Sequence, residues 1–170
     1  VVNFAIKNNI LLVNDNPYSM ILTESPFSIF QLPKAKEIAL ELNSMSKSFN
    51  LAGFRVGFLV GKSHFVDAVL KVKSNMDSGM FFPVQQTAAS VLQLDKNWFS
   101  ELNAIYRERR EWIWKIAKEL GLSFQKNSTG LFVWAKQEDG KNAEDLADQL
   151  LYEAAIFVTP GKIFGSQGDA

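Results

Sequence analysis

Along the first third of the chain, short unbroken apolar runs alternate with polar clusters that favour turns. Ile10-Leu11-Leu12-Val13 follows Asn8-Asn9 and gives way to Asn14-Asp15-Asn16-Pro17. A short continuous apolar run bounded by turn signals is the pattern of a parallel strand buried on both faces. A second run, Ile38-Ala39-Leu40-Glu41-Leu42, ends at a polar loop from Asn43 to Ser48, and a third, Val56-Gly57-Phe58-Leu59-Val60, follows almost at once. Strands with polar loops at their ends predict an open α/β sheet.

From Ser63 to Lys73 the period changes. Phe65, Val69 and Val72 recur at helical spacing, with Ser63 expected to cap the free N–H groups of the first turn. After the break at Met80-Phe81-Phe82-Pro83, Val84 to Leu94 is rich in Ala and Gln and reads as helix. Leu102, Ile105, Tyr106, Ile113, Ile116 and Leu120 then repeat by threes and fours until Gly121, which predicts a long helix ended by a glycine in the left-handed conformation. Beyond it, Leu122 to Lys136 holds two strand-like runs around Asn127-Ser128-Thr129-Gly130. Asn142 to Ala154 forms a short amphipathic helix capped by Asn142, and Ile156-Phe157-Val158 reads as a last strand. These changes predict sheet-centred material over 1–95, a long connecting helix over 96–120, and a smaller α+β unit over 121–170.

Composition narrows the functions open to such a chain. Eighteen basic side chains balance eighteen acidic ones, so there is no charge excess of the kind that gathers nucleic acid or an anionic membrane. The absence of cysteine removes disulfides and thiolate metal sites, and the single histidine, His64, cannot form a zinc cluster. With no long apolar run and no signal-peptide layout, a cytoplasmic setting is the expectation. The chain opens on Val1-Val2-Asn3-Phe4 and closes on the turn-like run from Phe164 to Ala170, as a sequence cut at both ends would.

In an open parallel sheet, ligands bind at the carboxyl ends of the strands. Two polar clusters sit at such ends: Asp15 with Tyr18, and Ser44 with Lys47. A lysine that attacks an aldehyde must be neutral part of the time, which calls for burial or a neighbouring cation, and Arg55 follows eight residues after Lys47. Each residue also has a plain reading. Asp15-Asn16-Pro17-Tyr18 alone is an ordinary turn, Ser44 and Ser48 are able to bond their own backbone, and Arg55 could be a strand-edge cation in water. Their joint spacing favours a site. The aromatic residues Trp98, Tyr106, Trp112 and Trp114 are expected to pack a helix, and His64 to be solvated.

Ser44-x-x-Lys47 followed by Ser48-Phe49-Asn50-Leu51-Ala52-Gly53-Phe54-Arg55-Val56-Gly57 resembles the cofactor-lysine motif of class I and II aminotransferases, the fold-type I enzymes that use pyridoxal 5'-phosphate (PLP). Asn14-Asp15-Asn16-Pro17-Tyr18 is similar to the family's aspartate-x-x-tyrosine pair, and Val158-Thr159-Pro160-Gly161-Lys162-Ile163-Phe164-Gly165 to its C-terminal strand and turn. The resemblance implies a mostly parallel three-layer α/β/α large domain, of which 1–95 would be the C-terminal half, followed by a smaller, truncated α+β domain. It implies that Lys47 binds PLP as a Schiff base and then shuttles a proton. Asp15 would pair with the pyridine nitrogen, Tyr18 would donate to the ring's O3', and Ser44 and Arg55 would hold the phosphate.

The same resemblance implies amino acid and 2-oxo acid substrates and a homodimer. Loop 73–82 would line the partner's substrate pocket, and its similarity to the corresponding stretch of LL-diaminopimelate aminotransferases suggests a larger amino acid as substrate. A complete member is more than twice this length, and its arginine for the substrate's α-carboxylate would lie beyond Phe164-Gly165, whereas the last arginine here is Arg110. The chain is therefore expected to be a C-terminal fragment without useful transamination activity of its own. A lyase or synthase of the same fold shares the cofactor residues, a PLP-binding regulatory domain of a transcription regulator is a second alternative, and a structural remnant with an unfilled site is a third.

Overall fold

The computed structural model describes residues 1–138 and 142–168, which leaves Asp169 and Ala170 of the closing run outside the described residues. The chain divides into two compact units, Val1–Ala104 and Ile105–Ala170.

The first unit is built on a sheet in which β1 (Leu12–Asp15) and β3 (Gly57–Gly61) flank β2 (Ala39–Ser44). β1 pairs with β2 in parallel, Leu12 opposite Ala39 and Asp15 opposite Leu42. β3 runs antiparallel to β2, Leu40 opposite Gly61 and Ser44 opposite Gly57. The apolar runs thus mark the strands, while the third runs back along the second: the Met45 N–H donates to the Val56 carbonyl at 3.2 Å, which closes segment 45–56 into a loop that returns to the end of β2 it left.

Side chains alternate along a strand and paired residues share a face. Leu12, Asn14, Ala39, Glu41 and Asn43 therefore lie on one face, and Val13, Asp15, Leu40, Leu42 and Ser44 on the other. The expected burial of both faces does not hold. Val13 is 57% exposed and Leu42 40%, both on the face of Asp15 and Ser44. A run of apolar residues records what a strand is able to bury on each side, and the described residues cover β1 on one side only.

Helix α1 (Val2–Lys7) precedes the sheet, and two single-turn helices, α2 (Ala35–Ile38) and α3 (Met45–Ser48), bracket β2. α4 (Ser63–Met76) follows β3 directly, so Lys62, in an extended conformation, occupies the capping position. Ser63 lies inside the helix and does not cap it. α5 (Phe82–Val91) starts earlier than the sequence pattern suggests because Pro83 fits the first turn, where its missing N–H costs nothing. α6 (Lys96–Glu119) begins in the first unit and its later turns belong to the second; Gly121, just past its end, has φ 70°.

In the second unit β4 (Leu122–Phe124) and β5 (Ala135–Gln137) form an antiparallel pair. α7 (Ala143–Ala154) is capped by Asn142, whose side-chain oxygen accepts from the Glu144 N–H at 2.9 Å. Ile156-Phe157-Val158 forms no strand: the chain turns at Ala155 with φ 54° and pairs with neither β4 nor β5. Trp114 is buried and stacks on Phe124, whereas Trp112 is 57% exposed with the Lys115 ammonium 4.1 Å from its ring, so only part of the aromatic series packs the helix.

Candidate functional site

Asp15 is the last residue of β1 and Ser44 the last of β2, so the parallel pairing brings both to the carboxyl edge of the sheet. They also point to the same face, since Asp15 pairs with Leu42 and Ser44 lies two residues further along β2. The Asn16 N–H continues the ladder by donating to the Leu42 carbonyl at 2.8 Å, which ties the start of the Tyr18 turn to β2. Asp15 is exposed and Tyr18 half-buried.

Lys47 lies in α3, not in an open loop. The helix starts because Ser44, extended at φ −117°, accepts the Ser46 N–H on its side-chain oxygen at 3.1 Å. Ser44 thus bonds its own backbone as an acceptor and keeps its hydroxyl proton to donate elsewhere. The Lys47 side chain is half-buried, and its amine has no hydrogen-bond partner among the described residues.

Arg55 reaches this edge because β3 is reversed. It precedes the N-terminal end of β3, and in an antiparallel strand that end lies beside the carboxyl end of β2. Two bonds close the base of the intervening loop: Met45 N–H to the Val56 carbonyl and Leu51 N–H to the Met45 carbonyl, each 3.2 Å. The approach needs a glycine at 57, where a Cβ would lie 2.6 Å from the Asn43 carbonyl oxygen. Arg55 itself sits in the left-handed region at φ 53°, a conformation that costs an L-residue about 1–2 kcal/mol. Its Nη1 donates to the Ala52 carbonyl at 3.0 Å, and the exposed guanidinium keeps its other donors.

Behind the edge, on the opposite face of β2, Glu41 is 5% exposed. Its Oε2 accepts from Asn14 Nδ2 at 2.9 Å, Ser28 Oγ at 3.0 Å and the Ile29 N–H at 2.8 Å, and its Oε1 from Asn43 Nδ2 at 3.0 Å. Burial alone pushes this carboxyl up; the bonds from Asn14, the Ile29 amide, Asn43 and Ser28 outweigh it and hold the group below the usual carboxylate range. Glu41 thereby ties β1, β2 and the segment entering at Ser28 together, directly behind Asp15. Sequence reading passed over it as one polar letter in an apolar run; the signal was a charge at a position whose neighbours on both sides are apolar.

The chain belongs to the aminotransferase class I and II family, whose model matches residues 1–170. It is 35% identical over 171 residues to the LL-diaminopimelate aminotransferase of Aquifex aeolicus, a match covering 99% of this chain and 44% of that protein. The apo structure of BacF from Bacillus subtilis superposes with a TM-score of 0.90 at 35% identity, over 99% of this chain and 44% of that one. A probable N-succinyldiaminopimelate aminotransferase from Thermus thermophilus gives a TM-score of 0.89 at 30% identity, over 98% of this chain and 45% of that one. The chain thus spans less than half the length of these relatives.

Proposed function

We propose that this chain carries the PLP-anchoring part of an aminotransferase that moves an amino group between an amino acid and a 2-oxo acid. The observation that carries the reading is the convergence of Asp15, Ser44, Lys47 and Arg55 at one sheet edge, where strand pairing brings Asp15 of β1 beside the contiguous segment that holds the other three. PLP offers an aldehyde, a phenolic oxygen, a ring nitrogen and a phosphate. The edge holds a group suited to each: the Lys47 amine, the Tyr18 phenol, the Asp15 carboxylate, and the Ser44 hydroxyl with the Arg55 guanidinium.

When bound, PLP supplies a protonated ring that takes up the electron pair left on a substrate's α-carbon as its proton departs. Asp15 would accept a hydrogen bond from the ring N–H and favour its protonated form. Tyr18 would donate to the phenolic oxygen. Ser44 would donate its hydroxyl proton to a hydrogen bond with the phosphate, and Arg55 would add a charge-assisted contact that lysine could not reproduce in bidentate form. Lys47 Nζ would anchor the cofactor and would carry the proton from the substrate's α-carbon. The diaminopimelate enzymes among the relatives support, for the whole protein, an amino acid longer than aspartate. A homodimer in the cytoplasm completes the proposal; among the described residues no helix is long and apolar enough to cross a membrane.

Incubation with PLP, borohydride reduction and peptide mass mapping test this reading. The reduced adduct is expected on Lys47 and absent from Lys47→Ala. An adduct spread over other lysines, or one that survives Lys47→Ala, would overturn the assignment. Addition of amino donors to the 170-residue chain is expected to give no sustained turnover.

A further inference from the structure

The first turns of α6 hold both the turn that carries Tyr18 and the helix that carries Lys47. Trp98 donates from Nε1 to the carbonyl of Ser48, the residue after Lys47, at 2.9 Å. The neighbouring Phe99 meets Phe49 edge-on, with ring centroids 5.5 Å apart. Further along the helix, Asn103 is 8% exposed and reaches the other half of the site. Its Oδ1 accepts from the Leu22 N–H at 2.6 Å, and its Nδ2 donates to the Met20 carbonyl at 2.9 Å and the Phe99 carbonyl at 2.8 Å.

The Phe99 bond is local to the helix and any asparagine there could make it. The other two are not local: they grip a loop some eighty positions away, at separations of 81 and 83 residues. That loop leaves a turn closed by the Ile21 N–H donating to the Tyr18 carbonyl at 2.9 Å, and Ile21 is 0% exposed. Leu22 has φ 52°, a left-handed conformation that a side-chain-bearing residue keeps only when its surroundings fix it. The Asn103 amide supplies such fixing, with a bond on each side of Ile21.

We infer that Asn103 is a positioning residue: by clamping the Met20–Leu22 segment to the helix face that holds α3 through Trp98 and Phe99, it sets the Tyr18 phenol relative to the Lys47 amine. This rests on the proposed PLP function. A phenol donating to the cofactor's phenolic oxygen stabilises that oxygen's anionic form, so loosening the phenol raises the pH at which the lysine-bound cofactor loses its proton.

The test uses the full chain loaded with PLP and follows the cofactor's absorbance against pH for the unsubstituted protein, Tyr18→Phe, Asn103→Ala and the double variant. Tyr18→Phe and Asn103→Ala are each expected to raise the spectroscopic midpoint by about one pH unit, a tenfold change in the equilibrium. The double variant is expected to match Tyr18→Phe alone, since a residue acting through Tyr18 has nothing left to act on. Asn103→Ser, which keeps a small polar group but loses the amide's span, serves where Asn103→Ala does not fold, and the same shift is expected. A lowered melting temperature with an unmoved midpoint makes Asn103 merely structural and overturns the inference, as does a shift that adds to that of Tyr18→Phe. If the unsubstituted chain takes up no PLP, the proposed function itself fails. If PLP binds but Tyr18→Phe moves nothing, the role of Tyr18 fails, and the inference with it.

Discussion

Replacing Glu41 with glutamine keeps the shape of the side chain and removes its charge, so it isolates the part that charge plays behind the site. The carboxylate accepts from four donors, three on Oε2 and one on Oε1. A glutamine oriented with its oxygen toward Asn14, Ser28 and Ile29 turns its NH2 toward Asn43 Nδ2 and loses that bond; the opposite orientation loses more. A bond to a charged group contributes about 1.5–3 kcal/mol and a neutral one about 0.5–1.5, so the retained bonds weaken as well. Relief from burying a charge offsets part of this, which leaves a loss of about 2 kcal/mol.

A chain of two compact units is not safely treated as two-state, so the probe must be local. Amide hydrogen exchange over residues 28–31 reports on the Ile29 N–H that Glu41 binds, and 2 kcal/mol corresponds to roughly thirtyfold faster exchange there. The pH dependence has a definite sign. Because the folded carboxyl is held below its usual value of 4.5, its stabilisation is complete above that pH and is lost as the pH falls through the lower folded value. The difference between the unsubstituted protein and Glu41→Gln should therefore be full near neutrality and shrink in acid, where a protonated Glu41 resembles glutamine. Less than twofold faster exchange in the variant at neutral pH, or a difference unchanged by acid, would refute the reasoning.

Gly57→Ala sets a methyl group 2.6 Å from the Asn43 carbonyl oxygen, which is backbone and cannot swing aside. It should lower the melting temperature of the first unit and weaken PLP retention, measured by dialysis and absorbance, whereas Gly53→Ala, with nothing within 4 Å of the added atom, should do neither through contact. Asn142→Ala removes the bond to the Glu144 N–H and should cost α7 about 1 kcal/mol, seen as faster amide exchange in its first turn with the cofactor site unaffected.

What the sequence made legible was whatever repeats or is dense. The apolar runs mark β1, β2 and β3, the threes and fours mark α6, and the dense motif from Ser44 to Gly57 singles out Lys47. The single-turn helices α2 and α3 were out of reach because four residues contain barely one helical period. Glu41 and Asn103 escaped for a shared reason. Glu41 is a single charge inside an apolar run and Asn103 a single amide between Phe99 and Tyr106 on its helix, and a pattern count treats one such letter as noise, although a buried polar group keeps its place only when its partners are supplied. Those partners lie at separations of up to 27 residues for Glu41 and 83 for Asn103, beyond any local window.

The direction of β3 was also invisible, since an apolar run reads the same both ways, yet the placement of Arg55 depends on it. Were β3 parallel to β2, the residues before it would emerge at the amino edge of the sheet, a strand's length from Ser44. The reversal makes the Lys47-to-Arg55 spacing work, because a closed loop between antiparallel neighbours returns its far end to where it began. Two local features serve that return: a glycine at 57, where β2 leaves no room for a side chain, and a left-handed arginine at 55 that turns the chain into the strand. The motif read in the sequence as a list of contact residues is therefore equally a list of folding instructions. Phosphate affinity should then fall on Gly57→Ala, at a position with no side chain to offer a ligand, as the proposed role of Arg55 predicts for the loss of that guanidinium.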